Sequence, residues 1–302
     1  MSIPIAWSEI YAHPLPDGHR FPMEKYDLIP EQLLYEGTIQ REQLFAPGPL
    51  TEEQILTTHS KEYWDRLKNL QLTPKEQRAS GFPHSSKLIE RETIICNGTV
   101  IGAERALLQS ECAFNIAGGT HHAYRDRAEG FCLLNDIALA AHHLIINHGI
   151  KRILVVDLDV HQGNGTARIF QGDKRVFTFS MHGEKNYPFR KEQSDLDIGL
   201  PDKIGDDHYL ELLYNHLGKT VDQLEPEFIF FQAGVDILSS DKLGKLGVSV
   251  EGCKERDRMV LEKCKALGIP LQVSMGGGYS PIISNIVQAH ANTYRLAMHY
   301  FG

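Results

Sequence analysis

Apolar runs of strand length recur along this chain, and most of them stop at glycines followed by a polar residue. Residues 113–116 lead into Ala117-Gly118-Gly119-Thr120, residues 228–232 into Ala233-Gly234-Val235-Asp236, and residues 271–274 into Met275-Gly276-Gly277-Gly278-Tyr279; residues 153–159 and 176–180 read the same way as strands. The runs are continuous rather than alternating, which implies burial on both faces. Between them, residues 136–148, 207–224 and 254–267 place apolar side chains at the i, i+3, i+4 spacing of helices. Strands alternating with helices build a parallel sheet covered on both sides. The expected class is therefore α/β, one parallel β-sheet flanked by helices. Sites in such sheets form beyond the carboxyl ends of the strands, so residues far apart in sequence are expected to meet at one edge.

With 302 residues, 42% hydrophobic and 23% charged, the chain can bury a large core. It has no linker, repeat or low-complexity tract, so one domain over residues 1–302 is expected. Residues 1–75 read as its N-terminal part, and the turn-rich loop 13–22 is expected on the surface near the site. Net charge is −8 and the Lys and Arg residues are scattered in sequence, which disfavours a nucleic-acid partner and is weakly compatible with a lysine-bearing one. Five cysteines without a C-x-x-C pair indicate reduced thiols and a cytoplasmic setting. The polar, proline-containing start is unlike a signal peptide, and no apolar run is long enough to span a membrane. The Asn-Gly-Thr sequons at Asn97 and Asn164 then carry no glycosylation meaning.

The chemistry concentrates in Val155-Val156-Asp157-Leu158-Asp159-Val160-His161-Gln162-Gly163-Asn164-Gly165. If the strand persists, Asp157, Asp159 and His161 face one space, where two carboxylates need a cation or donors to compensate them. An EF-hand is excluded, because Gln162 and Arg168 stand where that loop needs Gly and Glu. Asp236, after another strand, completes an Asp-His-Asp set. Three protein ligands with an open position mark a catalytic zinc site, and the oxygen-rich set also suits Fe²⁺ or Co²⁺. His121 and His122 follow a strand-end turn and can both reach a site; His142 and His143, about 100° apart on a helix, suit a structural role. Tyr279, after three glycines, could donate to a developing oxyanion.

Gly118-Gly119-Thr120-His121-His122, Gly130-Phe131-Cys132-Leu133-Leu134-Asn135-Asp136, Asp157 to Gly165, Ala233-Gly234-Val235-Asp236 and Gly276-Gly277-Gly278-Tyr279 together resemble the histone deacetylase superfamily. The resemblance covers almost the whole chain, and the wording around Asp159 is most similar to the class IV branch and its bacterial relatives. It implies an arginase-deacetylase fold and Zn²⁺ held by Asp159, His161 and Asp236. It places His121 against Asp157 and His122 against Asn164. Phe131 and Tyr187 match the walls of an acyl-lysine tunnel, the Gly130 carbonyl a substrate acceptor, and Gly277 and Gly278 further substrate-binding positions. Asp157, Asp159, His161, Ser180 and Met181 match a structural K⁺ site. Hydroxamate-type inhibitors are expected to bind.

Two positions depart from many family members: Gln162 stands where a second His is common, and Asn164 where Asp is common. The resemblance implies hydrolysis of an acyl group, acetyl or longer fatty acyl, from lysine Nε, with His122 as general base and acid and Tyr279 on the oxyanion. Deacetylation of small molecules such as acetylpolyamines, and a non-catalytic acyl-lysine-binding scaffold, are the alternatives.

Overall fold

The computed structural model describes residues 2–302, Ser110 by its backbone alone. Its strands are β1 (Ile5–Ala6), β2 (Leu44–Phe45), β3 (Cys112–Asn115), β4 (Ile153–Asp157), β5 (Val176–Gly183), β6 (Leu196–Leu200), β7 (Phe228–Gln232) and β8 (Leu271–Ser274). They form one sheet in the order β2-β1-β3-β8-β7-β4-β5-β6, and every pairing is parallel. The helices are α1 (Lys25–Tyr35), α2 (Glu52–Leu56), α3 (Lys61–Lys68), α4 (Pro74–Ser80), α5 (Ser86–Arg105), α6 (Asp136–His148), α7 (Asn164–Ile169), α8 (Asp206–Leu224), α9 (Val250–Leu267) and α10 (Ile283–Phe301). The class read from the sequence is thus the one observed: a parallel sheet flanked by helices. No helix among the described residues is long and apolar enough to cross a membrane.

The continuous runs behave as their composition demands. Every residue of β3, β4, β7 and β8 is buried. β6 instead reads Leu-Asp-Ile-Gly-Leu with an alternating exposure pattern, the signature of an edge strand with one wet face. It escapes a search for continuous apolar runs, as do the two-residue strands β1 and β2.

The strand expected over 153–159 ends at Asp157. Beyond it the chain bends, and carboxylates take over from the ladder as acceptors. Asp157 Oδ1 accepts from Asp159 N at 3.2 Å, Asp159 Oδ1 from His161 N at 3.0 Å, and Asp236 Oδ1 from Val160 N at 2.9 Å. Asp159 and His161 reach one space through these bonds rather than through strand alternation. β4 and β7 are neighbours with Asp157 opposite Gln232, and that register delivers Asp236 to the same space.

The loop at 13–22 lies beside the site as expected, but not wholly at the surface. Phe21 and His13 are buried, and Phe21 packs edge-on against Phe131 and Tyr279 with ring centres 5.2 and 5.9 Å apart.

Candidate metal centre and active-site tunnel

At the carboxyl edge of the sheet, ligand atoms of Asp159, His161 and Asp236 lie within 4.8 Å of one another, and all three residues are buried. His161 Nδ1 is 3.1 Å from both Asp159 Oδ1 and Asp236 Oδ2. Tetrahedral zinc, with bonds of about 2.0–2.2 Å, sets its ligand atoms roughly 3.3–3.5 Å apart. The donor set therefore fits a divalent cation with little movement. Burial alone would lower the His161 pKa, yet the two carboxylates push it up to about 10. Burial and the Asp159 charge push Asp236 up to about 7. Both shifts express an anionic pocket that needs positive charge.

The Gly276-Gly277-Gly278 turn closes over this pocket. Gly277 N donates to Asp159 Oδ2 at 2.8 Å, and a Cβ on Gly277 would stand 2.0 Å from Asp236 Oδ2. The backbone can pass so close to the ligands only without a side chain. Around Gly278 the space is taken by Val235 and Ile286.

His121 and His122 sit beside these three residues with ring centres 4.2 Å apart. His121 Nδ1 meets Asp157 Oδ2 at 2.7 Å. Against the pull of burial, Asp157 and Asp159 raise its pKa to about 9. His122 Nδ1 meets Asn164 Oδ1 at 2.6 Å. Burial and the neighbouring imidazoles, His121 and then His161, hold it well below the usual histidine range. A proton is thus favoured on His121, which faces a carboxylate, and a second one disfavoured on His122. Asn164 is itself oriented, because its Nδ2 donates to Glu129 Oε1 at 2.8 Å and to Tyr124 Oη at 3.0 Å. That leaves Oδ1 to accept from His122 Nδ1–H, so His122 Nε2 carries a free lone pair.

A mouth of about 650 Å³ leads to His122, His161 and Tyr279 between Phe131 and Tyr187. The Tyr187 hydroxyl donates to Glu129 Oε1 at 2.6 Å. Gly130 and Phe131 both have positive φ, +54° and +66°, and their amides donate to Ala79 O and Ser80 O at 3.0 and 2.8 Å. A Cβ on Gly130 would stand 2.7 Å from the His122 ring, so glycine here lets the loop lie against the imidazole. Burial, followed by the charges of Asp236 and Asp159, raises the Tyr279 pKa well above its usual value, which keeps a hydroxyl proton in place. Beside the ligands lies a cavity of only about 40 Å³, bounded by Phe21, Tyr26, Cys132 and Gly276 among others.

Asp157, the last residue of β4, is the register partner of Ser180 within β5, with Met181 next along β5. Gln162 is fully buried, its Nε2 donating to Glu192 O and Asp197 Oδ1, each at 2.8 Å. His142 bonds Thr58 Oγ1 at 2.8 Å and His143 lies 3.4 Å from Glu104 Oε1, away from the tunnel.

The sequence reading passed over two residues. Glu129 ties Asn164 to Tyr187, and its only signal was its place before Gly130-Phe131. Lys25, fully buried in the first turn of α1, donates to Gly276 O at 3.2 Å. Burial pushes its pKa down to about 8, although the charges of Asp236 and Asp159 oppose the fall. No local pattern distinguishes it from a surface lysine.

The family described as "Histone deacetylase domain" matches residues 19–294. Among curated proteins, an uncharacterized protein of Picosynechococcus sp. is 43% identical over 98% of this chain and 99% of its own length. Histone deacetylase 2 of Arabidopsis thaliana is 27% identical over 89% of this chain and 72% of its own. Histone deacetylase RPD3 of Saccharomyces cerevisiae is 32% identical over 87% and 64%. A crystal structure of a histone deacetylase homologue complexed with SAHA superposes with a TM-score of 0.86 at 26% identity, covering 99% of this chain and 84% of that one.

Proposed function

Because the chain belongs to the histone deacetylase family, we propose that it is a metal-dependent amidohydrolase that removes acetyl or similarly short acyl groups from lysine Nε. The observation carrying this reading is the meeting of Asp159, His161 and Asp236 with His121, paired to Asp157, and His122, paired to Asn164, at the end of a tunnel walled by Phe131 and Tyr187. The sequence wording around Asp159 allies it with the class IV branch.

A divalent cation held by Asp159, His161 and Asp236, with Zn²⁺ first and Fe²⁺ or Co²⁺ behind it, supplies Lewis acidity and lowers the pKa of water when bound. His122 Nε2 takes the proton of the attacking water and delivers it to the departing amine. His121, paired with Asp157, keeps its charge and stabilises developing anion. The Tyr279 hydroxyl donates to the former carbonyl oxygen. Phe131 and Tyr187 hold the lysine methylenes between them, and the Gly130 carbonyl accepts the substrate amide N–H. Buried oxygens at Asp157, Asp159, His161, Ser180 and Met181 suit a monovalent cation such as K⁺, which would hold the end of β4 to β5.

The acyl preference follows from the small cavity. About 40 Å³ accommodates two or three water-sized groups. That suffices for an acetyl group and falls far short of a fatty chain. Zinc-loaded protein is given one lysine peptide carrying acetyl, octanoyl or myristoyl groups, with and without a hydroxamate. The expected result is hydroxamate-sensitive cleavage that is fastest for acetyl. Faster cleavage of the longer chains would overturn the short-acyl assignment, and no cleavage of any peptide would overturn the activity itself.

A further inference from the structure

Arg20, Arg78, Lys185 and Lys245 come from four separate segments of the chain, yet all four line the mouth of the tunnel. All are exposed. None has a carboxylate partner within 4.0 Å among the described residues, unlike Lys61, Arg66, Arg127, Arg175, Arg258 and Arg295. Arg20 stands 4.9 Å over the Phe131 ring, and Lys245 Nζ donates to the Lys185 carbonyl at 3.1 Å. Glu129 is the one carboxylate lining this mouth among the described residues. It is already engaged by Asn164 and Tyr187. Phe189, 88% exposed, stands among the cations.

A chain of net charge −8 therefore presents a positive ring at a mouth that leads to its candidate catalytic groups. The weak expectation of a cationic partner, drawn from net charge, is reversed locally: cations scattered in sequence are gathered in space. Unpaired charges around a concave mouth focus the field and steer ligands of opposite sign. Like charges are repelled, which disfavours acetylpolyamines and acyl-lysines set among other lysines.

Resting on the deacylase reading above, we propose that the natural substrate is an acyl-lysine flanked by aspartate or glutamate in a peptide or protein. Arg20 and Arg78 receive acidic side chains on one bank of the mouth, and Lys185 and Lys245 on the other. The acyl-lysine itself occupies the tunnel between Phe131 and Tyr187.

The test uses the full metal-loaded chain and three peptides sharing one central acetyl-lysine, with flanks of Asp/Glu, of Ser/Gly, or of Lys/Arg. Exposed pairs contribute little singly, so two or three together should favour the acidic over the neutral peptide by about 3- to 20-fold in kcat/KM, mostly through KM. The basic peptide ranks last. The ratio should collapse toward one at about 0.5 M salt, where the screening length is a few ångström. It should also collapse in the Arg78→Gln/Lys245→Gln double variant, read as a ratio between peptides so that a general loss of activity cancels. Equal rates for the three peptides, or a salt-sensitive preference for the basic one, would overturn the proposal. If none of the peptides is cleaved, the deacylase reading fails, and fluorescence anisotropy of the same labelled peptides still decides the rim. Tighter, salt-sensitive binding of the acidic peptide supports it, and equal binding rejects it.

Discussion

The peptide bond between His121 and His122 joins an imidazole facing an anionic carboxylate to one facing a neutral amide, and this contrast separates their protonation states. The pair was legible in the sequence because it follows a strand-end turn, and so were Asp159, His161 and Asp236. Glu129 and Lys25 were not, because their importance comes from what folds against them. Replacing Asn164 with Asp puts a carboxylate on His122 and favours its imidazolium. The acid limb of the pH profile of kcat/KM should then move up by about 1 unit, and an unmoved limb in an active variant would remove His122 as the base. Tyr279→Phe keeps the ring that packs against Phe21 and Phe131 but deletes the donor. Turnover should fall on the order of 100- to 1000-fold while hydroxamate affinity is largely kept. Titration calorimetry with a hydroxamate, beside steady-state rates, checks both halves.

Elements position these side chains, and α6 shows how. Its first residue, Asp136, accepts from Gly119 N at 2.9 Å, Thr120 N at 2.7 Å, Thr120 Oγ1 at 2.8 Å and Thr99 Oγ1 at 2.6 Å. One buried carboxylate thus pins the turn that leads into His121. Asp136→Ala would strand these donors, each at about 1–3 kcal/mol, and should lower the melting temperature by more than 10 °C; a drop of a degree or two would show that the turn holds itself. Gly277→Ala acts on the opposite wall, where its Cβ would collide with Asp236. The variant should fold and lose its metal, measured as zinc content per chain after dialysis. At this scale the sequence was readable where burial is two-sided, as in β4, β7 and β8. It was opaque at β1, β2 and β6, where two residues or a half-wet edge leave no continuous run.

Across the whole molecule, buried histidines set the acid limit of stability. His59, His142 and His182 are each pushed down to about 4, chiefly by burial. Between pH 6.5 and about 4 the unfolded chain binds protons at these positions that the folded chain refuses. Stability therefore falls as pH drops through that window. The melting temperature of the metal-free protein should decline steadily from pH 6.5 to 4.5, and a flat profile would show these histidines to be protonated in the fold. Metal acts in the other sense. Binding must displace the proton that Asp159 and Asp236 hold on His161, so zinc affinity should strengthen as pH rises toward 9, and chelation at neutral pH should lower the melting temperature. Invariance to chelator would remove the ion from the folded state.

The order of the sheet also sets an order in time. β8 is the last strand to be synthesised, yet it lies between β3 and β7 near the centre of the sheet. Until Leu271–Ser274 leaves the ribosome, β3 and β7 have no partner on their facing edges, and Gly277 cannot cap Asp159. The nascent chain must carry the open edge of β3, from Asn115 onward, through roughly half of its synthesis, and that of β7 for the shorter stretch after Gln232. The cell that makes this protein therefore has to shield the β3 edge for about half of the time a ribosome spends on it.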